Sequence, residues 1–413
     1  MPKKRLLFIC QYFYPEVFRG NDIAFDMAKK GVDVTVICGT PNYPQGKFFK
    51  GYGPFKRNRE IINGVTVIRI PIIPRGTGSK IQLMLNFFSY FVNASLYLPF
   101  HLLLRKKYDA CFVQQLSPVM MSFPGVVFKK LTHRKLYTWV LDLWPESIKV
   151  AGGINNRRIL GFFGWFSKLE YKNSDCIYVS SKGFKKNIIT KGDFAHKIKF
   201  LPNWAEDAIK SSEILPIPAL PKGFNVLFTG NIGEAQDFES IVEAARLLSP
   251  EESIHFIIVG DGRKKQWVEN QISNHNIGDR IILLGRYDIT YMHSFFNAAD
   301  CMLLSLKDDE IMNLTVPAKM QAYLTSGKPI VAMINGDANE LIAEINCGIA
   351  VDASNPAKLV NAIRSIKALS PLEREQMGRR GRQYCNENYD KASILNNLFN
   401  HIFKSSAKYM TKI

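Results

Sequence analysis

Short apolar runs alternate with longer stretches whose hydrophobic positions recur every three to four residues, from one end of the chain to the other. Buried parallel strands read as near-continuous apolar runs and crossover helices as a 3.6-residue period, so the alternation predicts an α/β fold with parallel sheets. Strands are predicted at 6–11, 33–39, 65–70, 110–114, 137–141, 176–180 and 199–201, and a second series at 225–229, 255–260, 281–284, 301–305, 329–333 and 348–351. Two doubly wound, Rossmann-like sheets result. Between the series lies Ile214-Leu215-Pro216-Ile217-Pro218-Ala219-Leu220-Pro221, whose prolines cannot continue a helix or a central strand. The boundary is therefore placed just before it, giving a domain of residues 1–205 and a domain of 206–385, with a C-terminal helix of about 386–413 packing back on the first. Ligands of such sheets bind beyond the carboxyl ends of the strands, and with two sheets facing one another the expected site is the cleft between them.

Two segments invite a membrane reading. Lys3-Lys4-Arg5 followed by Leu6-Leu7-Phe8-Ile9-Cys10 has too short an apolar core for a signal peptide and runs into Gln11, which fits a buried first strand. Residues 81–104 carry no charge and end at Arg105-Lys106-Lys107. Their length would allow a span, yet Gln82, Asn86, Ser89, Asn93 and His101 fall along one side. An amphipathic helix follows, either half-buried against the first sheet or dipping into a bilayer surface, with Arg105, Lys106 and Lys107 as its cationic membrane contact.

At 413 residues and 46% hydrophobic, the chain exceeds a single core, and 12% aromatic content excludes a disordered or collagen-like protein. Seven widely spaced cysteines, none in a C-x-x-C pair, suggest neither a disulfide framework nor a zinc site, and a reducing cytoplasm is the simplest home. Charge is distributed unevenly. Residues 1–200 hold 32 Lys and Arg against 11 Asp and Glu, a net of +21, which leaves the rest of the chain at −3 out of the total of +18. A basic half of this kind attracts nucleic acid, an anionic leaflet or a phosphorylated substrate.

Candidate chemistry concentrates in the second half. Phe228-Thr229-Gly230-Asn231-Ile232-Gly233 lies between a strand and a helical run, where glycines let the backbone approach a phosphate. Val259-Gly260-Asp261-Gly262 ends the next strand in the same way. In Leu314-Thr315-Val316-Pro317-Ala318-Lys319-Met320-Gln321, Thr315 is the expected N-cap and Pro317 sits in the first helical turn. Lys319 then occupies a first turn where a cation is unfavourable unless an anion is present. The acidic run Asp308-Asp309-Glu310 lacks a metal-binding spacing, so no metal is expected.

Together with Leu284-Gly285-Arg286 and Ser326-Gly327-Lys328-Pro329, these segments resemble the donor-binding half of retaining GT-B glycosyltransferases of family four. Within that family the chain is most similar to bacterial surface-polysaccharide enzymes of the WbuB and WcaI type, described as N-acetyl-L-fucosamine or fucose transferases. Tyr14-Pro15-Glu16, Pro41-Asn42-Tyr43-Pro44-Gln45-Gly46, Asp142-Leu143-Trp144-Pro145-Glu146-Ser147 and Leu201-Pro202-Asn203-Trp204 extend the likeness over the first half. There are departures. Two glutamates common in the family fall on Leu314 and Ala322, its diphosphate-clamping Arg and Lys on Asn231 and Gln236, and its histidine near Gln114-Gln115. The resemblance then implies a diphosphate held by Arg286, Lys319 and the amides near Ile232-Gly233, with Gly230, Asn231, Gly260, Tyr287, Thr315, Val316 and Pro317 around the donor and Gln321 replacing the ribose contact.

It further implies a metal-free, cofactor-free transfer with retention, needing no dedicated protein nucleophile. Asp142 and Glu16 are the candidates for handling the acceptor hydroxyl, and Arg19, Gly20, Asn21 and Glu146 for binding the acceptor. The expected reaction moves a sugar, possibly a HexNAc or 6-deoxy-HexNAc, from a nucleotide-diphosphate donor, UDP foremost, to a polyprenyl-diphosphate-linked saccharide. Capsule, O-antigen or exopolysaccharide synthesis at the inner face of the cell membrane is the implied setting. Two competitors are a nucleotide-sugar 2-epimerase of the same fold, which the charge asymmetry disfavours, and a nucleic-acid-binding protein, for which the basic residues lack an interleaved aromatic signature.

Overall fold

The computed structural model describes residues 3–104, 107–210 and 213–404, the side chains of 150–152, 208 and 210 excepted. Its chain divides into two compact units, one running to Pro202 and resumed from Ile394, the other spanning Asn203–Ser393. In the first, eight strands form one sheet: β1 (Arg5–Ile9), β2 (Asp33–Gly39), β3 (Arg59–Ile62), β4 (Val65–Ile70), β5 (Ala110–Gln115), β6 (Lys135–Val140), β7 (Cys176–Val179) and β8 (Ile198–Phe200). Their order is β3-β4-β2-β1-β5-β6-β7-β8, parallel throughout except for the β3/β4 pair. Of that edge hairpin, β4 lies on the predicted 65–70 strand, while β3 has no counterpart in the predicted strands. Asn63-Gly64 turns it with both residues at positive φ, 48° and 80°, the geometry for which Asn-Gly is suited.

The second unit holds β9 (Phe224–Asn231), β10 (Ile254–Asp261), β11 (Ile281–Gly285), β12 (Cys301–Ser305), β13 (Ile330–Met333) and β14 (Gly348–Val351). They are ordered β11-β10-β9-β12-β13-β14 and all parallel. Strand order therefore reverses at β9/β12, and a ligand crevice is expected beyond their carboxyl ends. Phe228, Phe256, Ile258, Leu303 and Val331 from these strands build the core with Phe238, Ile241, Val242 and Ile363 of the flanking helices, all nearly inaccessible.

The uncharged segment forms one helix, Lys80–Leu104, but its amphipathicity is turned opposite to the usual sense. The polar positions face the protein. Asn86 is fully buried, accepting from Gln11 Nε2 at 2.8 Å and donating to Ile73 O at 2.6 Å; Ser89 Oγ accepts from Ile73 N, and Asn93 donates to Pro71 O. Tyr90 OH donates to Cys10 O at 2.9 Å. The apolar positions Ile81, Met84, Leu85, Phe88, Leu96, Phe100, Leu103 and Leu104 face solvent. Of the proposed cationic flank, Arg105 and Lys106 lie outside the described residues; Lys107 is exposed and its carbonyl accepts from Arg5.

The Lys391–Phe403 helix packs on the first sheet through His401, whose Nδ1 lies 2.6 Å from Tyr178 OH and whose ring meets Tyr137 edge-on. Burial and the nearby Lys199 and Lys135 lower the His401 pKa to about 4.

Candidate functional site

The site is assembled where β9 ends. Gly230 sits at φ 122°, and the Ala318–Ser326 helix crosses directly over it: a Cβ at Gly230 would lie 2.8 Å from Lys319 Cε. Lys319 and Tyr323, four residues apart, share one helix face. Tyr323 OH accepts from Thr229 N at 2.9 Å and approaches Thr229 O at 3.3 Å, so the helix is stapled to the strand one residue before the turn. That staple fixes Lys319. Its stem is part-exposed, while Nζ is buried, has no hydrogen-bond partner among the described residues, and stands 3.8 Å from the centre of the Phe228 ring. Burial without a counter-charge pulls its pKa down to about 7. Two residues on, Gln321 is also buried, with Oε1 unpaired.

The neighbouring loop closes the other side. Gly260 pairs in register with Gly230, and a Cβ there would collide with the Gly230 carbonyl; one at Gly262 would lie 2.7 Å from Asn231 Oδ1. Close packing of the two turns thus explains both glycines of the Gly-Asp-Gly segment. It also corrects one expectation: Ile232 is a core residue whose N–H donates to Asp261 O at 2.8 Å and whose carbonyl accepts from Lys264 N at 3.0 Å. Its amide is spent inside the protein. Gly233, whose amide has no partner among the described residues, remains for a ligand. Asn231 and Gln236 join across the turn at 3.5 Å.

Thr315 is not the cap. Its Oγ1 donates to Ile311 O at 2.8 Å, because Asp309 starts a short preceding helix, Glu310–Asn313, on whose last turn Thr315 folds back. The cap of the Ala318–Ser326 helix is Pro317, which has no side-chain acceptor to offer, and the Val316 side chain is buried. Arg286 follows β11, two strands from β9 on the same carboxyl edge, and is exposed. No contact joins it to Lys319 among the described residues. Tyr287 packs edge-on to Phe295 at 4.8 Å and Tyr291 at 5.5 Å, an internal aromatic group.

Sequence reading missed the cations that the topology delivers. Lys264, from the loop after β10, and Lys307, after β12, both meet Glu234 and Glu239 beside the glycine turn. Lys264–Glu234 and Lys307–Glu234 are each 3.0 Å, Lys307–Glu239 is 3.3 Å, and Lys264 also pairs with Glu239. Lys307 N donates to Ala235 O, anchoring its loop to the turn. The lysine hydrogen bonds hold the Glu234 carboxyl below its ordinary pKa, and those on Glu239 outweigh its partial burial.

The first unit is arranged differently from expectation. Glu16 is 2% exposed, with Oε1 accepting from Asn42 N (2.8 Å) and Tyr43 N (2.7 Å) and Oε2 from Phe13 N (3.3 Å). It clamps two loops together rather than standing open for proton transfer, and burial outweighs these bonds in raising its pKa to about 7. Asn21 braces the same loop, accepting from Tyr14 N and donating to Glu16 O; Gly20 is buried against Gln114. Arg19 starts the helix Arg19–Lys29 and is part-buried. Glu146 accepts from Lys191 Nζ at 2.7 Å and Asn187 Nδ2 at 3.1 Å, an internal ion pair. These pairings leave Glu16, Asn21 and Glu146 with structural work. Asp142 is different: part-buried after β6, bonded by Ser117, and raised in pKa chiefly by burial. Nearby, Gln11, just after β1, and Gln114 and Gln115, which end β5, have buried Oε1 atoms unpaired among the described residues, at the point where this sheet's strand order reverses.

The chain is similar to known proteins in sequence and in fold. The chain is 25% identical over 396 residues to a protein named as a colanic acid biosynthesis glycosyl transferase, WcaI, of Escherichia coli K12, covering 91% of this chain and 93% of that one. Among solved structures it resembles a sucrose-phosphate synthase from Thermosynechococcus elongatus, with TM-score 0.73 and 15% identity over 98% of this chain and all of the other. It also resembles HepE of Anabaena in complex with UDP, with TM-score 0.65 and 12% identity over 97% and 100%. The fold is that of the GT-B glycosyltransferases. Residues 212–384, which carry the glycine turn, Lys264, Lys307 and Lys319, match the family Glycosyl transferases group 1.

Proposed function

We propose that the protein is a retaining glycosyltransferase of bacterial polysaccharide synthesis, taking its sugar from a nucleoside-diphosphate donor and passing it to a polyprenyl-diphosphate-linked saccharide. The carrying observation is Lys319: an ammonium buried without an acceptor, above a glycine turn, at the strand-order reversal of the family-matching unit. A diphosphate seated there would supply the missing counter-charge. The WcaI relative's name points to a polysaccharide product, and the Anabaena neighbour's UDP to the donor class.

In the reaction the bond from the anomeric carbon to the diphosphate oxygen breaks, positive charge grows on the sugar and negative charge on the leaving group. Support of that leaving group is the largest contribution available to the protein. Lys319 Nζ and Gly233 N–H serve it directly, with Lys307 and Arg286 at the rim. Retention follows if the acceptor hydroxyl attacks from the leaving-group face, delivering its proton to the departing phosphate oxygen. The first unit binds the acceptor; Asp142 and the three glutamines at the ends of β1 and β5 are the polar groups it offers. No resident metal takes part, so activity survives EDTA.

A thermal-shift panel of UDP, GDP and their common sugars identifies the donor, since a ligand that binds only the native state raises Tm. Transfer from that donor to a lipid extract of the producing cells then tests the reaction. Release of free sugar with no lipid-linked product, or stabilisation by none of the nucleotides, contradicts the proposal.

A further inference from the structure

Beside the Lys80–Leu104 helix, the Arg157–Asn173 helix displays a second unpartnered face. Ile159, Phe162 and Trp165 are 40%, 52% and 54% exposed. Residues at i, i+4, i+7 and i+10 share a helix face, which aligns Arg158, Phe162, Trp165 and Lys168 in one stripe, with Arg157 beside it. All three cations are exposed, and no ion pair engages them among the described residues. The helix's one acid, Glu170, is buried.

The two apolar faces are joined. Exposed Phe88 meets Phe91 at 6.1 Å, Phe91 meets Phe166 at 5.7 Å, and Phe166 touches both Phe162 at 5.1 Å and Trp165 at 5.0 Å. A chain of aromatic contacts, through the half-buried Phe91 and the buried Phe166, therefore links the exposed side of the Lys80–Leu104 helix to Phe162 and Trp165. Soluble surfaces rarely carry apolar patches of this kind without a partner. The cationic ends of the stripe select an anionic partner, and the +21 of residues 1–200 adds long-range attraction of the same sign.

We propose that these two helices form one membrane-docking surface, with Phe162 and Trp165 seated at the headgroup boundary and Arg157, Arg158 and Lys168 on anionic lipid headgroups. The proposal rests on the membrane setting given to the acceptor above and extends it to a helix for which the sequence offered no such signal. The surface lies on the bilayer instead of crossing it. Although the Lys80–Leu104 helix is long and apolar enough to span, Asn86, Ser89, Tyr90 and Asn93 bond it to the rest of its unit, and a spanning position would strip those bonds. Trp and Arg are suited to the interface because each pairs an apolar body with a polar end.

Flotation of the full chain with vesicles of phosphatidylcholine containing 30% phosphatidylglycerol, against phosphatidylcholine alone, reads the interaction. The wild type is expected to float with the anionic vesicles only, and its tryptophan emission to shift to the blue. Phe162→Ser/Trp165→Ser lowers the bound-to-free ratio by about tenfold or more, and Arg158→Glu/Lys168→Glu by about 25-fold or more, at about fivefold per cation lost. Donor stabilisation in the thermal-shift assay stays at the wild-type level in both variants, which separates this surface from the transfer reading. Equal flotation of the wild type and both variants, or no flotation of the wild type, overturns the proposal.

Discussion

Replacing Lys319 with Met should do two opposite things, and their sizes follow from the geometry around Nζ. The ammonium titrates near 7 instead of at its ordinary 10.5, a difference worth about 5 kcal/mol at 1.36 kcal/mol per pH unit, as an upper bound for holding that charge in the empty site. The sign is as follows. Between pH 7 and 10.5 the unfolded chain binds the proton and the folded one does not, so this group's contribution to stability grows with rising pH and is lost as pH falls to 7. At pH 7 and below, Lys319→Met therefore raises Tm of the ligand-free protein, while donor binding collapses. The decisive assay is calorimetric titration with UDP in two buffers of different ionisation enthalpy. If the diphosphate restores the ordinary pKa, Lys319 takes up about 0.1 proton at pH 6, about 0.5 at pH 7 and about 0.9 at pH 8. UDP's own terminal phosphate, whose second pKa is about 6, can only release protons on meeting a cationic site; that release is spent by pH 8, and Glu234 and Glu239 are held below their ordinary range, so net uptake at pH 8 has no other source in the turn. No net uptake at pH 8, or UDP binding unchanged in Lys319→Met, would refute the reasoning.

Other residues give independent checks. Gly260→Ala forces a methyl into the Gly230 carbonyl and should destabilise the chain by about 2 kcal/mol or more, read as a lower urea midpoint; a neutral result would show that the two turns are not packed as described. Glu16→Gln puts an amide donor against backbone N–H groups, at a cost of about 1–3 kcal/mol. Because the native Glu16 pKa is raised to about 7 from 4.5, the folded state holds that proton longer, so wild-type stability falls between about pH 4.5 and 7 and the variant loses that slope; identical pH profiles would contradict this. Lys307→Met should weaken UDP binding about fivefold, the worth of one partly exposed charged contact, and Glu234→Gln should strengthen it by freeing Lys307; the reverse order in titration calorimetry would remove Lys307 from the donor site.

Much of the fold was legible because buried parallel strands leave unbroken apolar runs such as Leu6–Cys10, and each predicted strand lies on an observed one. The missed strand, Arg59–Ile62, is an edge strand with alternating exposure and no such run, although Asn63-Gly64 between it and β4 was a readable hairpin signal. In the donor site, Lys319 and the glycine turn are local in sequence and were found. Lys264, Lys307, Glu234 and Glu239 come from three loops that only the strand order brings together, so no spacing announced them. Glu16 and Glu146 misled for the same reason: an acid in a strand-to-helix loop looks available until its partners, the amides of Asn42 and Tyr43 or the Lys191 ammonium, are placed. The Lys80–Leu104 helix was recognised, but its polar residues bond inward, and hydropathy alone does not say which face of a helix meets the protein.

Every role given to the donor site depends on where the pyrophosphate group lodges. A crystal structure with UDP tests it most directly: the β-phosphate is expected within hydrogen-bond distance of Lys319 Nζ and the Gly233 amide, over Gly230. Nucleotide density elsewhere on the chain, with Lys319 Nζ still unpartnered, would contradict it.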